Sequence, residues 1–306
     1  MSPLRSLLRR VFSPRLLARV NHISHSDDRA LDLEYRLREV TRLLLRQQYP
    51  KLLQAGASPA PLREAEFSIY SQEGVDGILL AIFSEIGVEH ERFVEIGCGD
   101  GRECNTANLS LNLNWSGTLI DADPVRLASA RRFYDRMLKL QTAEVTIVET
   151  YLTRDNVNQV ITDSGVSGEI DLLSIDLDGN DYWIWNELTA VQPRVVVAEY
   201  NASFGPDEAI TVPYAADFDC FSAHPSGFYH GASLAALAKL ADSKGYTLVA
   251  VESQGVNAIF LRRDLAERSY DALEPIQAYT PHFQRGRLMS QQQQYSLIKG
   301  LELVRV

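Results

Sequence analysis

FVEIGCGDG, at residues 93–101, is the stretch that decides the fold of this chain. An apolar run broken only by Glu95 leads into three glycines, each two residues from the next. Glycine is needed where the backbone turns sharply with a positive φ, or where it approaches a ligand closely, because glycine has no Cβ. The stretch therefore predicts a β-strand that runs into a nucleotide-binding turn.

The spacing of the glycines distinguishes between kinds of nucleotide site. A dinucleotide fingerprint, G-x-G-x-x-G, requires a third glycine where Arg102 stands. The observed pattern, E-x-G-x-G-x-G, resembles the first motif of class I S-adenosylmethionine-dependent methyltransferases. In that family the loop wraps the methionine part of the cofactor, and the resemblance implies this role for Glu95, Gly97, Gly99 and Gly101.

An acidic residue after the next strand is the second part of the resemblance. GTLIDADP, at residues 117–124, predicts that strand, and Asp121 lies at about the twenty-residue offset expected of a ribose-binding carboxylate. Asp123 is the second candidate for this cofactor contact. Asp123-Pro124 also fits a helix start, with Asp as N-cap and Pro in the first turn, and both roles remain open.

Composition limits the class of protein. The 306 residues, 45% of them hydrophobic, predict one large α/β domain with accessory helices. A net charge of −10 argues against nucleic-acid binding, which draws on Lys and Arg. Three cysteines are too few for a disulfide framework or a zinc site and suit a cytoplasmic protein. No apolar run reaches the roughly eighteen residues of a membrane-spanning helix.

The N-terminal residues 1–26 differ from the rest of the chain. They carry five arginines and no acidic residue, with leucines at helical spacing. Such a basic amphipathic segment predicts peripheral contact with an anionic membrane through residues 1–20. An organelle-targeting peptide and a helix docked on a protein domain are the two alternatives.

Strands and helices alternate after residue 90, which predicts a Rossmann-like α/β fold. The expected sheet has seven strands, is mostly parallel, carries helices on both faces and ends in a hairpin. The predicted strands cover residues 93–97, 118–121, 145–149, 171–177, 195–200, 247–252 and 257–261. Helices are expected at 126–140, at 233–244, and from a Ser71/Glu73 cap to Gly87.

Three regions follow from this pattern. Residues 1–60 form an N-terminal helical extension, with a helix at 28–48 and a linker at 56–61. Residues 65–265 form the methyltransferase-like domain. Residues 266–306 form a C-terminal accessory tail, in which no chemistry is identified.

IDLLSIDLDGNDY, at residues 170–182, is a second informative stretch, a buried-type strand that ends in acidic residues. Ligands of open α/β sheets lie at this carboxyl edge. The stretch resembles the fourth strand of FkbM-type O-methyltransferases, I-D-x-E-G-x-E, with Asp178 and Asp181 where glutamates are common. The resemblance implies O-methylation of a small or medium hydroxylated acceptor, such as a sugar or glycan precursor. It also places Asp176 at the cofactor and Asp178 as a candidate base.

The same acids raise the question of a metal ion. Asp176-x-Asp178 is similar to the D-x-D motif of catechol-type O-methyltransferases that depend on a divalent metal. The end of the next strand offers Glu199 and Asn201, so Asp176, Glu199 and Asn201 form a candidate Mg²⁺ site with oxygen ligands. In the alternative, Asp176 and Asp178 shape the loop and touch cofactor or substrate, while Glu199 and Asn201 bond neighbouring backbone.

The long connection at residues 201–233 is predicted to be the acceptor-binding lid, because long loops in compact domains are usually functional. His230 and His224 are candidate general bases within it. The alternative is that both are simply hydrogen-bonded or exposed. Trp183 and Trp185 are expected in the core more than at the substrate.

Two other functions remain compatible with this pattern. One is a nucleotide-dependent sugar-modifying enzyme or oxidoreductase on a Rossmann-like fold. The other is a non-catalytic scaffold that binds S-adenosylmethionine.

Overall fold

A computed structural model describes residues 41, 44–45, 62–139 and 141–306. The chain has two compact units, Met1–Gln48 and Tyr49–Val306. The basic segment, its predicted membrane contact, the linker at 56–61 and all but three residues of the helix at 28–48 lie outside the described residues. The division into three regions therefore stays a prediction. Within the described residues, no helix is long and apolar enough to cross a membrane.

The second unit is built on a sheet of seven strands, and this sheet confirms the predicted fold class. Its strand order is β3-β2-β1-β4-β5-β8-β7, and every neighbouring pair is parallel except the two that contain β8. A second sheet pairs β6 with β9. The strands are β1 Arg92–Ile96, β2 Ser116–Asp121, β3 Val145–Glu149, β4 Gly168–Ile175, β5 Val191–Glu199, β6 Ile210–Thr211, β7 Tyr246–Val251, β8 Asn257–Arg262 and β9 Val304–Arg305.

Helices fill the connections. The described α-helices are α1 Val75–Ile86, α2 Ala107–Leu113, α3 Pro124–Met137, α4 Val157–Asp163, α5 Asp181–Glu187, α6 Cys220–Ala223, α7 Leu234–Ser243, α8 Arg263–Ser269, α9 Pro275–Ala278, α10 Phe283–Gly286 and α11 Gln291–Ile298. Two short 3₁₀ helices cover Leu62–Ala65 and Ala202–Phe204. The helix predicted at 233–244 is α7, and Ser233 caps it through a hydrogen bond accepted from the Ala236 amide.

The predicted Ser71/Glu73 cap of α1 is wrong. The helix begins at Val75 after Gly74, which has a left-handed backbone and gives no side-chain cap. Ser71 instead accepts a hydrogen bond from the Asp76 amide, and the Asp76 carboxylate accepts from the amides of residues 69–71. A buried carboxylate that binds three amides stabilises this turn and moves the helix start to Val75.

The core lies on both faces of the sheet because the strands are buried on both sides. One face packs against α4, α5 and α7, through contacts that include Val94, Ile175, Val157, Trp185 and Leu237. On the other face of β1, Phe93 is fully buried. Each such apolar side chain contributes about 1.5–3 kcal/mol when buried, so the sheet is a rigid base for its loops.

A buried ion pair fixes the amino-terminal edge of the sheet. The Arg194 guanidinium donates to the Asp171 carboxylate at 2.7 Å, and neither side chain is exposed. Asp171 also accepts from the amides of residues 89–91, immediately before β1. This acid therefore anchors the entry of β1, at the edge of the sheet opposite to the glycine loop.

The connection between β5 and α7 and the C-terminal tail form one packed region. The tail contributes β9 to the small sheet, and the Ser203 hydroxyl donates to Gln294 Oε1 at 2.7 Å in a buried contact. The Tyr279 hydroxyl donates to the Ala202 carbonyl at 2.7 Å. The tail is therefore more than an accessory helix, because it carries a strand and helices that brace the connection after β5.

Candidate functional site

The glycine loop follows β1 at the carboxyl edge of the sheet. Gly97 has φ +83°, and a Cβ there would lie 1.6 Å from the Asp176 carbonyl oxygen, so β4 approaches too closely for any side chain. Gly101 has φ +74° and faces the Tyr134 ring in the same way, at 2.8 Å. Gly99 differs, because a Cβ there would meet only Arg126 Nη1, at 3.7 Å. Gly97 and Gly101 therefore shape the loop, and Gly99 leaves its backbone open to the space in front of it.

Asp121 at the end of β2 fixes this loop. Its Oδ2 accepts from the Gly99 amide at 2.8 Å, and its Oδ1 accepts from the Asp123 amide at 2.8 Å. The half-buried carboxylate lines the cavity and keeps lone pairs for further donors. Asp123 accepts instead from the Val125 and Arg126 amides and caps α3, and these bonds lower its pKa. The structure thus places Asp121 at the cavity and Asp123 outside it.

Glu95, the acid before the first glycine, is buried inside the loop. Its carboxylate accepts from the amides of Asn105 and Thr106, at 2.9 Å each, and from the Thr106 hydroxyl. Burial raises the pKa of Glu95, and these bonds oppose the shift. Glu95 therefore connects the glycine loop to the start of α2 through hydrogen bonds, and it also lines the cavity.

A cavity of about 870 Å³ opens in front of the loop. Its wall joins the ends of β1, β2, β4 and β5 and the start of β8, through residues such as Gly97, Asp121, Asp176, Glu199 and Asn257. This is the edge at which open α/β sheets bind ligands, and the volume falls in the range of small-molecule sites.

Three carboxylates meet in this cavity after β4 and β5. Ligand oxygens of Asp176, Asp178 and Glu199 lie within 4.8 Å of one another. Asp176 is exposed to the cavity, where desolvation and then the charges of Asp178 and Asp181 raise its pKa to about 8. Burial beside Asp176 raises the pKa of Glu199 well above its usual value. Such mutual repulsion makes the cavity favourable for a cation.

The turn that presents Asp178 is tightly constrained. Asp178 has φ +52°, a left-handed backbone that is uncommon outside glycine. The Asp181 carboxylate holds the turn by accepting from the Leu177 and Gly179 amides, at 2.7 and 3.0 Å. A Cβ on Gly179 would lie 2.2 Å from the Phe218 ring. The strain is consistent with a turn shaped to expose the Asp178 carboxylate.

His230 lies behind the acidic cluster and is 1% exposed. Its Nδ1 lies 2.8 Å from the Gly227 carbonyl oxygen, which can only accept, so Nδ1 carries the proton. Nε2 has no hydrogen-bond partner and lies 3.8 Å from Glu199 Oε1. Burial lowers the pKa of His230 to about 3, so the ring is neutral. It can act on the cavity only through Glu199.

Asn201 does not join the predicted metal ligands. Its Nδ2 donates to the carbonyls of Phe228 and His230, at 2.7 and 2.8 Å, and its Oδ1 accepts from the Ser203 amide at 3.0 Å. The amide is therefore occupied with holding the connection after β5. The structure brings Asp176 and Glu199 together, with Asp178 beside them.

The remaining candidates of the connection have structural contacts. His224 Nδ1 lies 2.7 Å from the Ser226 hydroxyl, in a turn outside the cavity wall. Trp185 is buried in the core, and Trp183 donates to the Val212 carbonyl at 2.9 Å. Phe218 alone brings this connection to the cavity, where it meets Tyr151, whose hydroxyl donates to the Phe218 carbonyl at 3.1 Å.

Several cavity residues have no motif in the sequence. They are Gln72 and Glu73 before α1, Tyr151 after β3, Asn257 in β8, and His282 and Gln284 in the tail. Of the loops that reach the cavity, the connection at residues 201–233 gave a signal through its length. The others reach the cavity through packing of distant segments.

Glu73 predicts a measurable pH dependence. Burial, then the charges of Glu252 and Glu103, raise its pKa to about 7. An unfolded Glu titrates near about pH 4.3, so between about pH 4.5 and pH 7 the folded chain holds a proton that the unfolded chain has lost. Stability therefore falls as the pH rises through this window. We expect Glu73→Gln to raise the Tm at pH 8, because the free energy of unfolding should rise by on the order of 1 kcal/mol there. At pH 5 the Tm should change little.

Glu267→Gln, on an exposed face of α8, is the matched control and should behave alike at both pH values. Thermal unfolding followed by circular dichroism gives the comparison. If Glu73→Gln changed the Tm equally at pH 5 and pH 8, the ionised Glu73 carboxylate would not destabilise the folded chain.

Comparison with known proteins gives distant matches among solved structures. No protein-family model matches the chain, and no curated protein matches it. Among solved structures, magnesium protoporphyrin IX methyltransferase ChlM from Synechocystis PCC 6803, with bound SAM, is 12% identical over 61% of this chain and 76% of its own, with a TM-score of 0.38. A putative O-methyltransferase from Klebsiella pneumoniae is 15% identical over 72% and 94%, with a TM-score of 0.39.

The mitomycin 7-O-methyltransferase MmcR is 19% identical over 56% of this chain, with a TM-score of 0.35. The match spans about half of MmcR, 48% of its length. At these identities and TM-scores the matches carry no argument about this chain, and the function has to be inferred from the cavity itself.

Proposed function

We propose that this chain is an S-adenosylmethionine-dependent methyltransferase. The observation that carries the proposal is the meeting of an open glycine-loop backbone, the Asp121 carboxylate and the acidic cluster in one cavity of about 870 Å³. The methyl donor has a sulfonium and an ammonium group against one carboxylate, so its net charge of about +1 complements an acidic wall. In this proposal Asp121 accepts from the ribose hydroxyls.

Each residue then has a role. Glu95, Gly97 and Gly101 hold the loop in shape, and Gly99 presents its backbone to the donor. Asp176 lies against Gly97 and faces the positive end of the donor. When bound, the donor supplies an electrophilic methyl carbon, and the protein mainly has to align it with the acceptor, which lowers barriers by about 7–11 kcal/mol.

The acceptor is a small or medium hydroxylated molecule, such as a sugar or glycan precursor. Asp178 and Asn180 offer polar contacts at the cavity wall, and the Tyr151 and Phe218 rings offer flat apolar faces. We assign Asp178 as the general base that takes the hydroxyl proton, a step that contributes about 10²–10⁴ in rate. His230 is a positioning residue that acts through Glu199.

The test is a screen of hydroxylated acceptors, with S-adenosylhomocysteine release as the readout. Turnover of any hydroxylated acceptor supports the proposal. Binding of S-adenosylmethionine without turnover on any acceptor would favour a scaffold, and a thermal shift with NAD but not with S-adenosylmethionine would favour an oxidoreductase or sugar-nucleotide enzyme.

As the alternative to a free Asp178 base, we propose a Mg²⁺ ion held by Asp176, Asp178 and Glu199. The three oxygen ligands suit a hard divalent cation, and their spacing leaves room for one ion between them. Such an ion would acidify an acceptor hydroxyl. We expect removal of metal by chelation to lower turnover at least about tenfold, with recovery on adding Mg²⁺.

Binding of Mn²⁺, measured by electron paramagnetic resonance, provides a readout that does not depend on turnover. Glu208→Gln, on an exposed acid away from the cavity, is the control and should leave Mn²⁺ binding unchanged. Full activity after exhaustive metal removal would end the metal hypothesis and leave the methyltransferase proposal standing.

A further inference from the structure

The C-terminal tail forms part of the cavity wall, at the half far from the ribose site. His282 and Gln284 line the cavity beside Glu199 at the end of β5 and Asn257 at the start of β8. These two strands lie three and four places from β2, which carries Asp121. Since neighbouring strands are about 4.8 Å apart, this half of the cavity is roughly 14–19 Å from the ribose carboxylate.

The tail is held in place at this position by the hairpin of β7 and β8 and by β5. The Phe283 amide donates to the Gln254 carbonyl at 2.7 Å, and the Thr280 amide donates to the Tyr200 hydroxyl at 3.3 Å. A Cβ on Gly255 would lie 2.5 Å from the Thr280 and Pro281 carbonyl oxygens, so the hairpin turn and the tail are in direct contact. The two cavity side chains therefore stand on a fixed frame.

The chemistry of these side chains suits hydroxyl groups. His282 Nδ1 accepts from the Arg285 amide at 3.5 Å, which leaves the ring proton on Nε2 as a donor. Burial, then the nearby Arg285 charge, lower the pKa of His282 to about 4, so the ring is neutral at pH 7. The Gln284 amide both donates and accepts. Beside them, Glu199 supplies acceptor oxygens.

The acidic cluster in this half disfavours an anionic ligand, and the Arg285 charge near His282 and Glu199 does not line the cavity. Ligand oxygens of Asp176, Asp178 and Glu199 lie within 4.8 Å of one another, so a phosphate group would bring further negative charge against three acidic side chains. The two arginines that line the cavity, Arg102 and Arg126, lie at the other half, beside Asp100 and Asp123.

We propose that the tail completes the acceptor subsite, in which His282 and Gln284 select an uncharged polyhydroxylated acceptor and the acidic cluster rejects its phosphorylated form. This inference rests on the proposed methyltransferase function and names the residues and the acceptor class of that site. It gives the tail a role in specificity that its sequence does not indicate.

The test uses two probes that share one ring, methyl glucoside and glucose 6-phosphate. Saturation-transfer NMR measures their binding to the full chain with S-adenosylhomocysteine present, and calorimetry measures the Kd of S-adenosylmethionine separately. We expect the neutral probe to bind, the phosphorylated probe to bind at least about tenfold more weakly, and His282→Ala and Gln284→Ala each to weaken the neutral probe at least about fivefold. The Kd of S-adenosylmethionine should stay within about twofold.

Gln292→Ala, on an exposed position of α11 in the same tail, is the matched control and should bind both probes as the wild type does. Unchanged probe binding in His282→Ala and Gln284→Ala, equal binding of the two probes, or no binding of the neutral probe by the wild type would each overturn the inference. A weakened Kd of S-adenosylmethionine in these variants would overturn it too, by placing both residues at the donor. If the wild type itself does not bind S-adenosylmethionine, that result would instead refute the proposed function.

Discussion

Replacing Gly97 by alanine is expected to abolish binding of S-adenosylmethionine and to lower stability by more than about 3 kcal/mol. A left-handed backbone with a Cβ costs about 1–2 kcal/mol by itself. The new Cβ would also lie 1.6 Å from the Asp176 carbonyl, so the ends of β1 and β4 would have to separate. That movement would displace the glycine loop and Asp176 together. Thermal unfolding and calorimetric titration measure the two effects.

Gly165→Ala separates backbone strain from the close approach. Gly165 has φ +87°, slightly more than the +83° of Gly97, and a Cβ there meets nothing within 4 Å. This variant should lose only about 1–2 kcal/mol and bind S-adenosylmethionine as the wild type does. Equal losses in the two variants would show that contact with β4 is not what requires glycine at position 97.

Asp121→Ala is expected to raise the Kd of S-adenosylmethionine about ten- to hundredfold. Hydrogen bonds to a charged group contribute about 1.5–3 kcal/mol, and each 1.4 kcal/mol corresponds to about a tenfold change. The variant would also release the Gly99 amide, which Asp121 Oδ2 accepts from at 2.8 Å. Calorimetric titration at constant salt gives the Kd.

Asp123→Ala is the control for that measurement, because Asp123 lies two residues away and serves as the N-cap of α3. We expect it to cost about 0.5–2 kcal/mol in stability and to leave the Kd nearly unchanged. If Asp121→Ala bound S-adenosylmethionine normally, the ribose contact would have to lie elsewhere. If Asp123→Ala weakened S-adenosylmethionine binding as much as Asp121→Ala, Asp123 would serve both as the N-cap and as a cofactor contact, contrary to the account.

The sheet could be predicted from the sequence because hydrophobic periodicity is a local signal. The predicted strand at 145–149 is β3 residue for residue, and the strand at 257–261 ends one residue short of β8. The fourth strand begins at Gly168, before the predicted start at residue 171. The prediction missed this start because Gly168 is exposed and Glu169 is half-buried, so they look less like a core strand. The glycine loop could also be predicted from the sequence, because the close approach of the backbone at Gly97 admits only glycine.

Much of the site depends on tertiary contacts that no local pattern records. Histidine is a common catalytic residue type, yet the packing of the connection after β5 buries His230 behind Glu199. Asn201 has the chemistry of a metal ligand, yet three backbone partners occupy it. His282 and Gln284 lie more than eighty residues after Glu199 in the chain, and only the folding of the tail brings them to the same cavity.

Calorimetric titration of the purified full chain with S-adenosylmethionine, and in parallel with NAD, tests the central claim most directly. Binding of S-adenosylmethionine at one site per chain, with a Kd below about 1 mM and no heat from NAD, is the predicted result. A chain that binds NAD, or that binds neither nucleotide, would contradict the assignment of the glycine loop and Asp121 to a methyl donor.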